Sequence, residues 1–175
     1  MSSQMNIILD TKRFSLGNVN FLDTKRNMIM DGNFTKLIYS NEWFSMNGIY
    51  FLFPIDVLNI QKIMNKFIMK FHPYNPSNLS IIQDFAKIEY RIVEYYKQMN
   101  NCVKKTSNLL AKQLYSGNIK VYKDYNGDNY STQITQHIEH SDDSQYVMKI
   151  SGIWETRDEV GLTFKLIHTN NDKDI

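Results

Sequence analysis

The stretch "KISGIWETRDEVGLTFKLI", residues 149–167, decides the fold that this sequence predicts. Apolar and polar residues alternate on both sides of the charged segment 156–159, which is typical of two strands joined by a short turn. Gly152 inside the first strand predicts a bulge, a bend or the close approach of another backbone. Lys149 and Lys165 fall on the face away from the core. The residues expected to face the core are Met148, Ile150, Gly152, Trp154, Leu162, Phe164 and Leu166.

Hairpin signals recur at three other places, at Asp31-Gly32, Asn47-Gly48 and Asn126-Gly127. Such pairs suit type I′ turns, in which both central residues have positive φ. Residues 27–53 therefore predict an antiparallel meander that breaks near Ser40-Asn41 and is closed by Pro54. The segments "NIKVYK" and "YSTQITQHI" flank the third turn and predict two more strands.

Between these strand regions the apolar spacing becomes helical. Five apolar residues recur at steps of three and four between residues 60 and 71, which predicts one helix. A second helix is expected from about Ser80, with Gln83 completing a capping box, and Gly117 is expected as its C′ residue. The first set of residues is Ile60, Met64, Phe67, Ile68 and Phe71.

This order of elements predicts the α+β class, with an antiparallel sheet or barrel built from N- and C-terminal strands around a central helical block. We expect a single domain over residues 1–175. Its strands are predicted at about 5–55 and 118–169 and its helices at about 56–116, followed by a short polar tail at 170–175.

Composition excludes several classes of protein. The formal net charge of the 175 residues is +2, so the field of the whole molecule is weak and only a local basic patch is available. The single cysteine, Cys102, excludes an intramolecular disulfide and any multi-cysteine zinc site. The longest apolar run is too short to cross a bilayer, and the N-terminus lacks the plan of a signal peptide. We therefore expect a soluble protein that is not secreted and has no membrane partner.

Catalytic motifs are missing from the sequence. It has no glycine-rich phosphate loop, dinucleotide fingerprint or nucleophile elbow. His137 and His140 could form a metal site with Glu139 and Asp142, but on a strand the two histidines point to opposite faces. The prediction is a protein that is not an enzyme and that uses no cofactor and no metal.

Lysines interleaved with aromatic residues make binding of single-stranded nucleic acid the main functional hypothesis. Such sites combine positive charge along the backbone with rings on which bases stack. The simpler alternative is that each of these positions belongs to a solvated strand face. The residues predicted to contact nucleic acid are Lys36, Tyr39, Trp43, Lys120, Tyr122, Lys149 and Lys165.

Two stretches carry a resemblance. "DGNFTKLIYSNEWFSMNGIYFLFPI" and "KISGIWETRDEVGLTFKLI" resemble proteins of large nucleocytoplasmic DNA viruses, among which one group is similar to the OB-fold single-stranded-DNA-binding proteins of short-tailed phages. That family implies a five-stranded barrel with a DNA-binding face and an acidic tail that contacts replication proteins. The tail here departs from this pattern, because Asp172 and Asp174 are separated by Lys173.

The resemblance implies a viral protein that coats single strands during DNA replication, in the host cell cytoplasm or the viral replication compartment. Replication proteins, virion proteins and a second copy of the chain are the expected protein partners. The alternative is a structural or interaction protein of the virion or infected cell, without nucleic-acid binding, that docks through the helical block. In that alternative Met64, Met69 and Met99 form an adaptable surface.

Overall fold

The structure is a computed structural model, and it describes residues 7–29, 31–123 and 144–170. Two short 3-10 helices (Thr11–Arg13 and Leu16–Asn18) precede the sheet and helix elements. These elements are, in chain order, β1 (Val19–Asn27), β2 (Gly32–Ser40), β3 (Ser45–Asn47), β4 (Ile49–Leu52), β5 (Val57–Ile63), β6 (Lys66–Phe71), α1 (Pro76–Met99), β7 (Lys105–Ser107), α2 (Leu109–Ser116), β8 (Asn118–Lys123), β9 (Ser144–Glu155) and β10 (Glu159–Asn170).

Within these ranges all ten strands belong to one sheet. Its main order is β1-β2-β9-β10-β8-β6-β5, and β3, β4 and β7 attach to β2, β9 and β10 respectively. β10 pairs in parallel with β7 and β8, while the other named pairs are antiparallel. The α+β class is therefore confirmed, but the sheet is mixed rather than antiparallel. The sheet is not closed, so an OB-like barrel is not confirmed.

The hairpin predicted at residues 149–167 is confirmed and lies in the middle of the sheet as β9 and β10. Its register shifts between Thr163 and Phe164, which places a bulge near Gly152 as the sequence indicated. The bulge changes which side chains face the core, because an extra residue reverses the alternation. Ile150 and Ile153 are both fully buried. The prediction that Trp154 shares the core face with Ile150 is therefore wrong.

The first half of the predicted helical block is a β-hairpin. β5 and β6 pair antiparallel over residues 57–71, and Met64 occupies the turn with φ 54°. β6 also pairs with β8, where Met69 lies opposite Ile119. Met69 and Phe71 are buried at alternate positions, so the true period is two. The steps of three and four residues between apolar positions matched a helical pattern by coincidence. The pairing of β6 with strands on both sides makes this segment a strand.

The second half of the predicted block is helical, with different ends. α1 begins after Asn75, whose side chain accepts a hydrogen bond from the Ser77 amide, and Pro76 occupies the first helical position. The capping box predicted at Ser80 and Gln83 is therefore wrong. The single helix predicted from about Ser80 to Gly117 is in fact two helices, α1 and α2, with β7 between them. Gly117 is confirmed as a helix-ending residue with φ 72°, but the helix that it ends is α2.

Two of the predicted glycine turns have different roles. Gly32 pairs with Asn27 and belongs to β2, so the β1–β2 turn precedes Gly32 rather than centring on Asp31-Gly32. Gly48 has φ 87°, but β3 pairs with β2 and β4 pairs with β9, so Asn47-Gly48 connects two pairings and closes no hairpin. The predicted turn at 126–127, the strand "YSTQITQHI", the two histidines at 137 and 140 and the tail beyond 170 lie outside the described residues.

The two helices cover one face of the sheet, which we call the inner face. The ring of Phe85 on α1 lies 5.7 Å from that of Phe51 and 5.5 Å from that of Phe53. The apolar face of α1 is buried, and its fully or nearly fully buried residues are Ile82, Phe85, Ile88, Ile92, Val93 and Tyr96. The opposite face of the sheet, the outer face, carries the residues of the candidate site.

Candidate nucleic-acid interface

Three lysines lie on the outer face because their neighbours in sequence occupy the core. Lys149 lies between Met148 and Ile150, which are fully buried. Lys165 precedes Leu166, and Lys120 lies between Ile119 and Val121, which are likewise buried. Side chains alternate along a strand, so all three lysines point away from the helices.

The register of the sheet brings these lysines into line. Lys149 on β9 pairs directly with Lys165 on β10. β10 and β8 are parallel with Leu166 opposite Val121, which places Lys120 level with Lys165. Adjacent strands are about 4.8 Å apart. Lys149, Lys165 and Lys120 therefore form a continuous line across three strands, which we call the lysine row.

Aromatic rings lie at both ends of the lysine row. The Lys120 and Lys165 ammonium groups lie 4.2 Å and 4.8 Å from the centre of the Tyr122 ring. Tyr50 on β4 pairs with Lys149, whose ammonium lies 5.2 Å from the Tyr50 ring centre. These cation–π contacts hold the ammonium groups over the sheet face. The rings and charges together span four strands, a width of about 14 Å.

The lysine row has no carboxylate to neutralise it among the described residues. The ion pairs of that part of the chain use Arg26, Lys97, Lys104 and Lys105 and none of the three. Like charges directly opposite each other on neighbouring strands destabilise a sheet, and Lys149 and Lys165 are such a pair. The fold therefore leaves repulsion between these two ammonium groups in place.

The other three predicted contact residues do not join the row. Lys36 is exposed on the outer face and pairs with Gly152, three residues from Lys149 along β9 and thus about 10 Å away. Trp43 is 83% exposed, in the turn between β2 and β3 that the Asn41 side chain closes. Both side chains are free to contact a ligand, but from separate positions.

The prediction that Tyr39 stacks on a base is contradicted by its burial. Tyr39 is 1% exposed, and its hydroxyl accepts hydrogen bonds from the Ser15 amide and the Asn18 side chain. Its neighbours on β2 show the reason, because Leu37 and Tyr39 share the parity that faces the core. Which side chains of β2 face the core depends on how β2 pairs with its neighbouring strands.

Sequence reasoning missed Tyr50, Lys66 and Lys70 as members of the outer face. Lys66 and Lys70 alternate with the inward residues of β6 and extend the positive charge beyond β8. They were assigned to a helix, so their alternation was not considered. The signal for Tyr50 was present, since it lies between two fully buried residues of "GIYFL", but that short run is apolar throughout.

A second polar cluster lies on the inner side, between α1, β9 and the segment after α1. The Tyr96 hydroxyl donates to one oxygen of Glu155, and the Lys104 ammonium donates to the other at 2.7 Å. Burial raises the pKa of Glu155, but these two hydrogen bonds and the positive charge of Lys104 together lower it by more, so its pKa lies below its ordinary value. Burial and the same bond to Glu155 raise the pKa of Tyr96. The cluster attaches α1 to the centre of the sheet.

We expect Lys104→Met to lower the free energy of unfolding by about 1 kcal/mol at pH 7, since it breaks a half-buried ion pair. A carboxylate whose pKa falls on folding contributes stability above its ordinary pKa of 4.5, and that stability is lost as the pH falls through the lower folded value. The difference between the two proteins should therefore vanish in acid. Urea denaturation at several pH values measures it. Lys105→Met is the control, because its 3.9 Å pair with Glu159 is exposed, and a gap that persists unchanged in acid contradicts the assignment.

The described residues contain no group of three or more histidine, cysteine, aspartate or glutamate side chains placed to hold a metal ion. None of the helices in these ranges is both long and apolar enough to cross a membrane. No protein-family model, curated protein or solved structure matches the chain. The residues of the outer face are therefore the basis of the functional argument.

Proposed function

We propose that the protein binds single-stranded nucleic acid on the outer face of its sheet and does not act as an enzyme. The observation that carries the proposal is the lysine row, in which three ammonium groups on adjacent strands lack a carboxylate partner among the described residues. Phosphates would take the place of the missing counter-charges. Tyr50 and Tyr122 supply ring faces on which unpaired bases stack.

The arrangement favours a single strand over a duplex. Bases in a duplex are stacked on each other and leave no ring face for a tyrosine, whereas unpaired bases do. The overall charge of +2 is too small to hold a duplex by its field alone, so binding depends on the local row. Along with the viral resemblance, this supports a role in coating single strands during replication. The bound strand is DNA or RNA. The proposal also includes attachment of replication proteins, virion proteins or further copies of the chain.

Binding of a labelled oligo-dT, followed by fluorescence anisotropy across a salt series, tests the proposal. The slope of log affinity against log salt is negative, and each lost phosphate contact on a single strand reduces its magnitude by about 0.7. Lys149→Gln/Lys165→Gln should therefore reduce the magnitude by about 1.4 and weaken binding about twentyfold at about 0.1 M salt. Lys87→Gln/Lys112→Gln removes the same charge from the exposed surface of the helices and should leave the slope unchanged. No binding by the wild type at low salt overturns the proposal.

The stacking contribution is tested separately with Tyr122→Leu, which keeps an apolar side chain on β8 but removes the aromatic face. Stacking on one ring contributes about 1–3 kcal/mol per base, so the affinity should fall at least about fivefold. The salt slope should stay within about 0.7 of the wild-type value, because the lysines remain. Equal affinity of the two proteins would assign Tyr122 only to positioning the ammonium groups.

The alternative function is self-association through the helices, without nucleic-acid binding. Tyr74 and Tyr90 are 70% and 59% exposed, and Tyr90 and Tyr115 line a surface cavity of about 430 Å³. Lys87 is the one charged residue of its lining in the described part of the chain. Such an aromatic, weakly charged face is complementary to a second copy of itself. The methionine surface expected for this alternative does not form, because Met69 is fully buried. This function would be favoured if the sedimentation of the wild type depends on its concentration and that of Tyr90→Ser does not.

A further inference from the structure

A cavity of about 510 Å³ opens at the β1 edge of the sheet, apart from the lysine row. Its volume lies in the range of small-molecule sites. Apolar rings, two ammonium groups and one carboxylate surround it. The lining residues are Phe21, Leu22, Asp23, Lys25, Phe34 and Lys36.

Two local features of the fold create the cavity. The register of β1 against β2 shifts between Phe21 and Thr24, so Leu22 and Asp23 belong to a bulge rather than to the regular pairing. On β2, the ring of Phe34 lies over Gly152, where a Cβ atom would be 2.9 Å from the ring. The absence of a side chain at Gly152 therefore lets Phe34 lie against the backbone of β9 and form a fixed aromatic wall.

The charged groups are placed on one side of that wall. Lys25 pairs directly with Phe34 across β1 and β2, and Lys36 is two residues from Phe34 on the same face of β2. In the described ranges neither lysine forms an ion pair with a carboxylate, and Asp23 forms none with a cation. The cavity thus offers a ring surface, two free cations for an anion and a carboxylate that can accept a hydrogen bond from an amino group.

We propose that this cavity binds one nucleotide unit, with its base against Phe34, its phosphate held by Lys25 and Lys36, and an amino group of the base donating to Asp23. Ring stacking and phosphate neutralisation are the same chemistry whether the nucleotide is free or part of a strand. Gly152, which pairs with Lys36 of the cavity, is three residues from Lys149 and thus about 10 Å from it along β9. Binding of a nucleotide that belongs to a bound strand rests on the proposed function, whereas binding of a free nucleotide does not.

Amide chemical shifts in an NMR titration with adenosine monophosphate test the proposal directly. The amides of β1 and β2 around the cavity should shift, and adenosine and ribose 5-phosphate, which each lack one half of the ligand, should bind at least about fivefold more weakly. Phe34→Leu and Lys25→Gln/Lys36→Gln should each reduce the affinity for adenosine monophosphate at least about fivefold. Lys87→Gln/Lys112→Gln is the control, because it removes the same charge from the helices, and it should bind the mononucleotide as the wild type does. The spectrum of each variant reports whether it is folded.

A labelled oligo-dA distinguishes the two sources of the nucleotide. If the Phe34 and Lys25/Lys36 variants weaken both ligands, the cavity holds one unit of the bound strand. If they weaken only the mononucleotide, the ligand is a free nucleotide and the proposal still holds. If neither ligand depends on these residues, the proposal is wrong, and loss of oligonucleotide binding in the Lys149/Lys165 variant alone would leave the proposed function intact.

Discussion

Gly152→Ala is expected to destabilise the protein more than any other single methyl addition in the central hairpin. A Cβ atom at this position would lie 2.2 Å from the Thr35 carbonyl oxygen and 2.9 Å from the Phe34 ring. The first of these contacts is with backbone, so β2 must separate from β9 to relieve it. Because Gly152 pairs with Lys36 at one end of the β2–β9 ladder, that movement breaks pairing rather than rotating a side chain.

We expect a loss of about 3 kcal/mol in the free energy of unfolding, the upper end of the usual cost of overpacking. For a chain of this length this corresponds to a fall in Tm of about 6–12 °C. Thermal and urea denaturation followed by circular dichroism measure both quantities. Gly17→Ala is the matched control, because its Cβ atom would contact only Ser15 Oγ, at 3.7 Å. Equal stability of the two variants would contradict the close approach of β2 and β9.

Glu89→Ala is expected to produce a loss of similar size by a different mechanism. Glu89 on α1 is fully buried, and its two oxygens accept hydrogen bonds from the Leu110 and Ala111 amides, at 3.0 Å and 2.8 Å. These amides belong to the first turn of α2, where the side chain of Asn108 makes no capping hydrogen bond. Glu89 therefore caps α2 from a neighbouring helix, a role for which helix N-termini favour a carboxylate.

Alanine would leave both amides without an acceptor in a buried place, and each such group costs about 1–3 kcal/mol. We expect the free energy of unfolding to fall by about 3 kcal/mol. Urea denaturation measures the loss. Glu94→Ala is the control on the same helix, because the Glu94 side chain is 31% exposed and forms a 3.6 Å pair with Lys97. A loss no larger than that of Glu94→Ala would show that α2 needs no cap from α1.

The same residue makes the stability of the helix layer depend on pH. Burial raises the pKa of Glu89, and the two amide bonds and Lys112 only partly offset this effect. A carboxyl group whose pKa is higher in the folded state contributes stability that is complete below its ordinary pKa and is lost as the pH rises through the folded value. Glu89→Gln stays neutral at every pH. The stability of the wild type relative to this variant should therefore be greater in acid than at neutral pH.

Gly152 affects both the outer face and the stability of the sheet. This residue permits the approach of β2 to β9, and it also leaves the space in which the Phe34 ring lies. The cavity and the position of Lys36 therefore depend on the same close contact that the first prediction tests. The lysine row is farther along β9, so Gly152→Ala molecules that remain folded should retain more oligonucleotide affinity than mononucleotide affinity.

Local chemistry made several elements predictable from the sequence. The hairpin at 149–167 was predicted because apolar and polar residues alternate on both sides of a short charged segment. The bulge at Gly152 and the end of α2 at Gly117 followed from the conformations that glycine permits. The predictions also placed Lys149, Lys165, Lys120 and Tyr122 on strands that the structure contains. Only the register of β8 against β10 makes Lys120 and Tyr122 neighbours of Lys165.

Predictions failed where two local interpretations were equally good. Residues 57–71 satisfied both a helical spacing and an alternation, and only the pairing of β6 with β8 selected the strand. Tyr39 is an aromatic residue close to a lysine in the sequence, as in a stacking site, but its position on β2 places its side chain in the core. The barrel was expected because strands enclosed a helical block, yet the strand order leaves β1 and β5 unpaired with each other, and the sheet is open.

The sequence by itself determined the strands and helices whose periodicity admits one interpretation, together with the glycines that shape their ends. Those features depend on residues a few positions apart, so they are encoded locally. Only the tertiary structure decided that β10 pairs in parallel with β8 and antiparallel with β9, and this pairing aligns Lys120, Lys165 and Lys149. The alignment joins residues up to 45 positions apart, from 120 to 165, and depends on register between strands, which no local pattern in the chain specifies.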